Sequence, residues 1–220
     1  MNSDTSSELN IYGGTFNTSD DIEVRGEYYS KAEVNVYGGA FSAEHAGVGY
    51  AAGDNLDESG VGIFNVAGSG SSSIQFDRSG GNGWTFDGGT LQIGIDSGGV
   101  TAIEVLNGDV MMKSESILDV SFLDSFEEYG TSWGVMEWSG SLVDSAGNNL
   151  FTQAGSDHLT LDDVPLSFAA GVDPSKWNVD FYQTDSGTMT VTAVPEPGSL
   201  ALLLVGTGLL SIGRRRRRKQ

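Results

Sequence analysis

Residues 9–16 read LNIYGGTF, and residues 34–41 read VNVYGGAF. Five of the eight positions are identical, the other three are conservative exchanges, and the second copy starts 25 residues after the first (Leu9 to Val34). Each copy alternates apolar and polar residues and then breaks at a double glycine. Period two puts successive side chains on opposite faces, which is the mark of a strand. Glycine reaches positive φ without a Cβ penalty, so the Gly-Gly step predicts a tight corner. Fainter copies follow at Phe64-Asn65-Val66-Ala67-Gly68, at WTFDGGTLQIGI (84–95) and at IEVLNGDVMM (103–112). Leu91, Ile93 and Ile95 share one face, and Ile103 and Val105 flank Glu104 in the same way. A unit this short cannot bury its own apolar face, whereas stacked units bury a continuous column. The expectation is all-β: a single-stranded right-handed β-helix (β-solenoid) over residues 1–114. A β-sandwich is the rival, since short strands with frequent turns suit it too. The near-identity at a fixed offset favours the solenoid.

Beyond residue 115 the strands become longer, more aromatic and less repetitive: SILDVSFLDSF (116–126), TSWGVMEWSGSLV (131–143), HLTLDDVPLSF (158–168), WNVDFYQ (177–183) and TMTVTAV (188–194). This order resembles the C-terminal part of autotransporter-like β-helix repeat proteins. The resemblance implies that residues 115–193 continue the solenoid and close it with a β-cap. Pro165 and Pro174 fit loops or edge strands, where a missing N–H does no harm.

Composition narrows the function. The 220 residues allow one domain or two small packed parts, and 32 glycines beside 4 prolines and no cysteine describe a turn-rich chain held by packing alone. The formal net charge is −19, from 30 acids and 11 bases. Without the residues after Val194, which include six bases and one acid, 29 acids face 5 bases and the charge is −24. Such a body repels phosphate backbones, so nucleic acid is excluded as a partner.

Catalytic groups are sparse. Asp20-Asp21, Asp57-Glu58 and Asp162-Asp163 are adjacent acids, and neighbours on a strand point to opposite faces, so none is an acid/base pair by sequence alone. Outside the tail the bases are Arg25, Lys31, Arg78, Lys113 and Lys176, scattered along the chain. Ser156-Asp157-His158 holds triad residue types in tandem, but a triad is a spatial relay. His45 and His158 read as solvent-facing turn residues. Two distant histidines without cysteine do not spell a tetrahedral zinc site. The segment from Gly80 has the glycines of a calcium nonapeptide but Thr85 where the carboxylate should stand. Asp54, Asp57 and Glu58, or Asp162 with Asp163, are oxygen clusters that could hold calcium weakly; solvated acidic surface is the simpler reading. Trp84, Trp133, Trp138 and Trp177 suit a core better than sugar stacking. The expectation is a protein that is not an enzyme and has no cofactor. The alternative is a polysaccharide lyase or hydrolase on the same scaffold.

The C-terminus, residues 194–220, has three zones. Val194, Pro195, Glu196 and Pro197 form a stretch that the two prolines keep extended. An apolar run follows with Leu200, Leu202, Leu203, Leu204, Val205, Leu209, Leu210 and Ile212. Arg214, Arg215, Arg216, Arg217, Arg218 and Lys219 then form a basic end, which stays cytoplasmic and orients the run across a membrane. The run predicts one short membrane helix. Ser199 to Gly213 is fifteen residues with Gly206 and Gly208 inside it, short of the roughly 20 that a stable span wants.

This tail resembles the PEP-CTERM sorting signal of Gram-negative bacteria, a Val-Pro-Glu-Pro motif followed by a small residue, a Leu-rich helix and an Arg-rich end. The resemblance implies recognition and processing by exosortase, an inner-membrane precursor, and delivery to the cell surface or extracellular matrix. There a structural or adhesive role linked to exopolysaccharide is expected. MNSDTSSELN carries neither the basic region nor the apolar region of a secretory signal. Export therefore predicts a signal peptide and at least one further repeat upstream of Met1.

Overall fold

The computed structural model describes residues 6–26, 30–50, 61–113 and 116–195. The chain is mostly β, with 63% strand and 6% helical residues. It lays its strands down in successive circuits. The first circuit holds β1 (Ser6–Ile11), β2 (Thr15–Asn17) and β3 (Ile22–Gly26), and the second β4 (Lys31–Val36), β5 (Gly39–Ala43) and β6 (Ala46–Tyr50). The third has β7 (Val61–Ala67) and the long β8 (Ser71–Asp87), and the fourth β9 (Thr90–Ile95) and β10 (Ile103–Met112). The fifth has β11 (Ser116–Phe122), β12 (Ser132–Trp138) and β13 (Leu142–Val143). A five-residue helix α1 (Leu150–Ala154) leads to β14 (His158–Thr160), β15 (Leu166–Phe168), β16 (Trp177–Gln183) and β17 (Gly187–Ala193).

Three rows result. The strands β1, β4, β7, β9, β11 and β15 pair in that order, all parallel. A second parallel row runs β2, β5, the first part of β8, the first part of β10, and β12. A third runs β3, β6, the later part of β8, the later part of β10, and β13. Register puts like beside like. Leu9, Val34, Phe64, Leu91 and Leu118 form one column, and Ile11, Val36, Val66, Ile93 and Val120 another. Between them runs a polar column of Asn10, Asn35, Asn65, Gln92 and Asp119. Asn35 donates to Asn10 Oδ1 at 3.0 Å across 25 residues, and Asn65 donates to Asn35 Oδ1 at 2.9 Å across 30. Asn35 is buried, so these bonds satisfy an amide that would otherwise be costly to desolvate.

The three rows converge on one core. At the third circuit each row contributes an aromatic ring: Phe64, Phe76 and Trp84. Trp84 meets Phe64 and Phe76 edge-to-face, each with centroids 5.1 Å apart, the arrangement that the ring quadrupoles favour. In the third row small Ala46 lies opposite Trp84, which gives the indole its space. All four side chains are fully buried.

The double glycines make the corners they predict. Gly14 and Gly39 have φ of 77° and 81°, and a Cβ on Gly39 would come within 2.7 Å of the Gly13 carbonyl carbon, so one corner sits directly on the next. The fainter copies need correcting, however. Gly88-Gly89 turns from the third row back into the first, and Asn107-Gly108 turns from the second into the third. The segment that stacks on Leu9-Asn10-Ile11 is Leu91-Gln92-Ile93, not the WTF that precedes it.

Parallel pairing gives way at the far end. There β12 pairs antiparallel with β17, β17 with β16, and β16 with β14. Asn149 caps α1 by accepting from Thr152 N–H, and Gly155 ends it in the left-handed conformation. Pro165 precedes β15, and Pro174 opens a 3₁₀ turn, where no N–H is needed.

Truncating Phe64 to Ala is expected to cost about 3–5 kcal/mol, as for other buried aromatics. Asn35→Ala, which strips Asn65 Nδ2 and Asn10 Oδ1 of their shared partner, is expected to cost about 1–3 kcal/mol. Urea denaturation followed by circular dichroism measures both; an unchanged midpoint for Asn35→Ala would show that the polar column adds nothing to stability.

Candidate functional site: the C-terminal exit

The last strand positions the tail. β17 lies between β12 and β16, pairing at six residue pairs with the first, across a bulge between Gly134 and Met136, and at seven with the second. Met189, Val191 and Ala193 face the core, fully buried, as the alternation of TMTVTA predicts. Gly187 is needed where β17 begins, because a Cβ there would overlap the Trp138 indole. Bonds continue to the strand's end: Gly130 N–H donates to the Ala193 carbonyl at 2.7 Å, and Val194 N–H to the Lys176 carbonyl at 2.8 Å. Pro195 comes next and has no N–H to give. The anchoring of the body therefore reaches Val194, and the Pro-Glu-Pro stretch starts at once. Glu196, Pro197, the apolar run from 200 to 212 and the basic end from 214 to 219 lie outside the described residues. Among the described residues no helix is long and apolar enough to cross a membrane.

Ser156 Oγ donates to the His158 carbonyl at 2.8 Å, while His158 Nε2 lies 2.8 Å from Asp180 Oδ1. His158 is exposed, as expected, but it sits in β14 and stacks on Tyr182 with centroids 4.7 Å apart. Asp163 accepts from Thr160 N–H and Oγ1–H at 2.8 and 2.9 Å, which holds its carboxyl below the ordinary range. Its oxygens thus serve a local turn beside Asp162. Asp54, Asp57 and Glu58 lie outside the described residues. Trp84, Trp138 and Trp177 are buried, and Trp133 is half-buried against Phe122.

His45 corrects the sequence reading. It does stand in the link between β5 and β6, just after the bend at Glu44, but only 6% of it is exposed. Its Nε2 lies 3.1 Å from Thr85 Oγ1 on β8, and its Nδ1 faces Asp21. No local signal marked it, since Thr85 is forty residues away and reaches His45 only through the stacking of circuits.

Residues 193–218 match the PEP-CTERM protein-sorting motif. No curated protein and no solved structure matches the chain. The motif makes this an exported protein sorted to the cell surface. Exosortase is the processing partner it implies.

His45 also predicts a pH dependence. Burial pushes the imidazole down from 6.5 to about 4; Asp21 pulls it up, and Arg78 and Arg25 push it down. The unfolded chain takes up a proton near 6.5 that the native chain refuses until about 4, so stability falls as pH falls through that window. In chelating buffer the urea midpoint is expected to drop between pH 7 and pH 5, and to drop less in His45→Gln. Equal slopes for both proteins would show that His45 does not carry the effect.

Proposed function

We propose that this protein is a non-enzymatic surface component whose body is a single-stranded right-handed β-helix, handed to exosortase by its tail. The observation that carries the reading is the sorting motif at 193–218, whose Pro195 comes directly after the last bonded residue of β17's end, Val194. In this reading residues 1–114 are the repeats, 115–193 the continuation and β-cap, and 194–220 the signal. The tail includes a short membrane helix that holds an inner-membrane precursor until processing, and the product goes to the cell surface or extracellular matrix.

Several features support the β-helix. Three rows of parallel pairs with like residues in register suit stacked circuits, whereas a sandwich is built from antiparallel sheets. The antiparallel strands β14, β16 and β17 suit a cap, because they end the second parallel row.

The role outside the cell is structural or adhesive and linked to exopolysaccharide. A body with 29 acids and 5 bases before the tail is strongly hydrated and suits cations and neutral or cationic polymers. Tyr12, 74% exposed, stacks on Tyr37 with centroids 4.8 Å apart and an interplanar angle of 6°. Flat exposed rings of this kind suit sugar faces.

The test uses the gene with an added secretory signal, expressed in hosts with and without exosortase. Mass spectrometry of the product is expected to show the arginine end removed only where exosortase is present. The double change Pro195→Ala and Pro197→Ala is expected to lower the processed fraction by about tenfold, since the extended motif is the recognition element. Retention of the arginine end in both hosts would overturn the sorting reading.

A further inference from the structure

Asp21, Glu23 and His45 meet at the corner where the first two circuits enter the third row. β3 and β6 are parallel with Ile22 opposite Ala46, and Ile22 N–H donates to the His45 carbonyl at 2.8 Å. The residues just before each strand are therefore neighbours, and His45 Nδ1 stands 3.8 Å from Asp21 Oδ2. Glu23, two residues on from Asp21, points to the same side. It lies opposite Gly47, where a Cβ would overlap the Glu23 carboxylate and come 2.9 Å from Arg25 Nη2. Stacked circuits thus leave a gap that the carboxylate fills. One ligand atom from each of the three residues lies within 4.8 Å of the others.

The histidine supplies the second, independent observation. Its Nδ1 is buried and has no hydrogen-bond partner, since 3.8 Å is too long for one. Its Nε2 lies 3.1 Å from Thr85 Oγ1. A hydroxyl that accepts from Nε2–H leaves the lone pair on Nδ1, aimed at the carboxylates. In that tautomer the Nδ1 lone pair faces the Asp21 carboxylate, and a cation between them would bind both.

We propose that Asp21, Glu23 and His45 form a site for a divalent transition ion of the zinc type, which ties the first circuit to the second. Imidazole with two carboxylates suits such an ion better than calcium, which takes about six to eight oxygens. Zinc bonds of about 2.0–2.2 Å require Asp21 and Glu23 to swing inward by about 1 Å, and both side chains are exposed enough to do so. Two guanidiniums flank the site: Arg25 Nε is 2.6 Å from Glu23 Oε2, and Arg78 Nη1 is 3.4 Å from Asp21 Oδ2. Asp21 Oδ2 stands 3.8 Å from His45 Nδ1 and 3.4 Å from Arg78 Nη1, so the ion would share that oxygen with the guanidinium, and the arginines balance the charge of the metal-free state. Thr85 orients the imidazole, as partners behind metal-bound histidines do.

The experiment is equilibrium dialysis of the full chain against Zn²⁺ at pH 7, with zinc and protein quantified together. About one ion per chain is expected, with a rise in melting temperature on loading. Asp21→Asn and Glu23→Gln, both at exposed positions and checked for folding by circular dichroism, are each expected to weaken binding at least about tenfold. His45→Gln is expected to abolish it. His158→Gln, which removes the exposed histidine beside Asp180, is expected to leave binding unchanged. Absence of stoichiometric binding would overturn the site. So would binding that survives Asp21→Asn and Glu23→Gln undiminished, or that is lost with His158→Gln.

Discussion

Parallel register is the constraint on which the rest of this molecule depends. Because Leu9, Val34, Phe64, Leu91 and Leu118 occupy one column, a one-residue slip in any circuit would send an entire apolar set outward. The asparagine column guards against that slip from the other side. Asn35 bonds both Asn10 and Asn65, and a slipped circuit would place an amide against Leu or Val. Apolar columns supply the driving force, and the polar column between them fixes the alignment. The aromatic meeting of Phe64, Phe76 and Trp84 exists only when all three rows keep that alignment together.

Much of this was legible in the chain, and what was not has a physical reason. The two YGG copies announce strand, corner and stacking, because alternation and glycine conformation are local properties. Equating every glycine pair with the same corner fails at Gly88-Gly89 and Asn107-Gly108, since any turn between strands asks for the same residues. The strand WNVDFYQ was legible to the residue as β16. The five-residue α1 was not, for it is too short to show a helical period. His45 was hidden most completely. Its burial comes from Thr85 and Asp21, residues far away in sequence, and nothing in GAFSAEHAGV separates a buried histidine from a solvated one. The tail stands at the opposite extreme. Its meaning lies in an ordered string of residues, and the motif at 193–218 is read without any fold at all.

The two ends of the described chain are built on different principles. At the start, β1, β2 and β3 are the first strands of parallel rows, tied to the next circuit by register and by the bond from Ile22 N–H to the His45 carbonyl. At the finish, antiparallel strands extend the second row beyond β12, so that the final strand is interior and not an edge. This places a strand bonded on both sides directly before the Pro-Glu-Pro motif, with Pro195 following the last bonded residue, Val194.

That arrangement matters once the tail is held and the body is tugged by flow or by a neighbouring polymer. Tension entering at Val194 runs along β17, nearly perpendicular to the hydrogen bonds that join it to β12 and β16. Force in that direction loads both rows of bonds together, as a lap joint does, where a strand peeled from an edge would yield one bond at a time. The point of attachment is thus a strand loaded in shear on both sides.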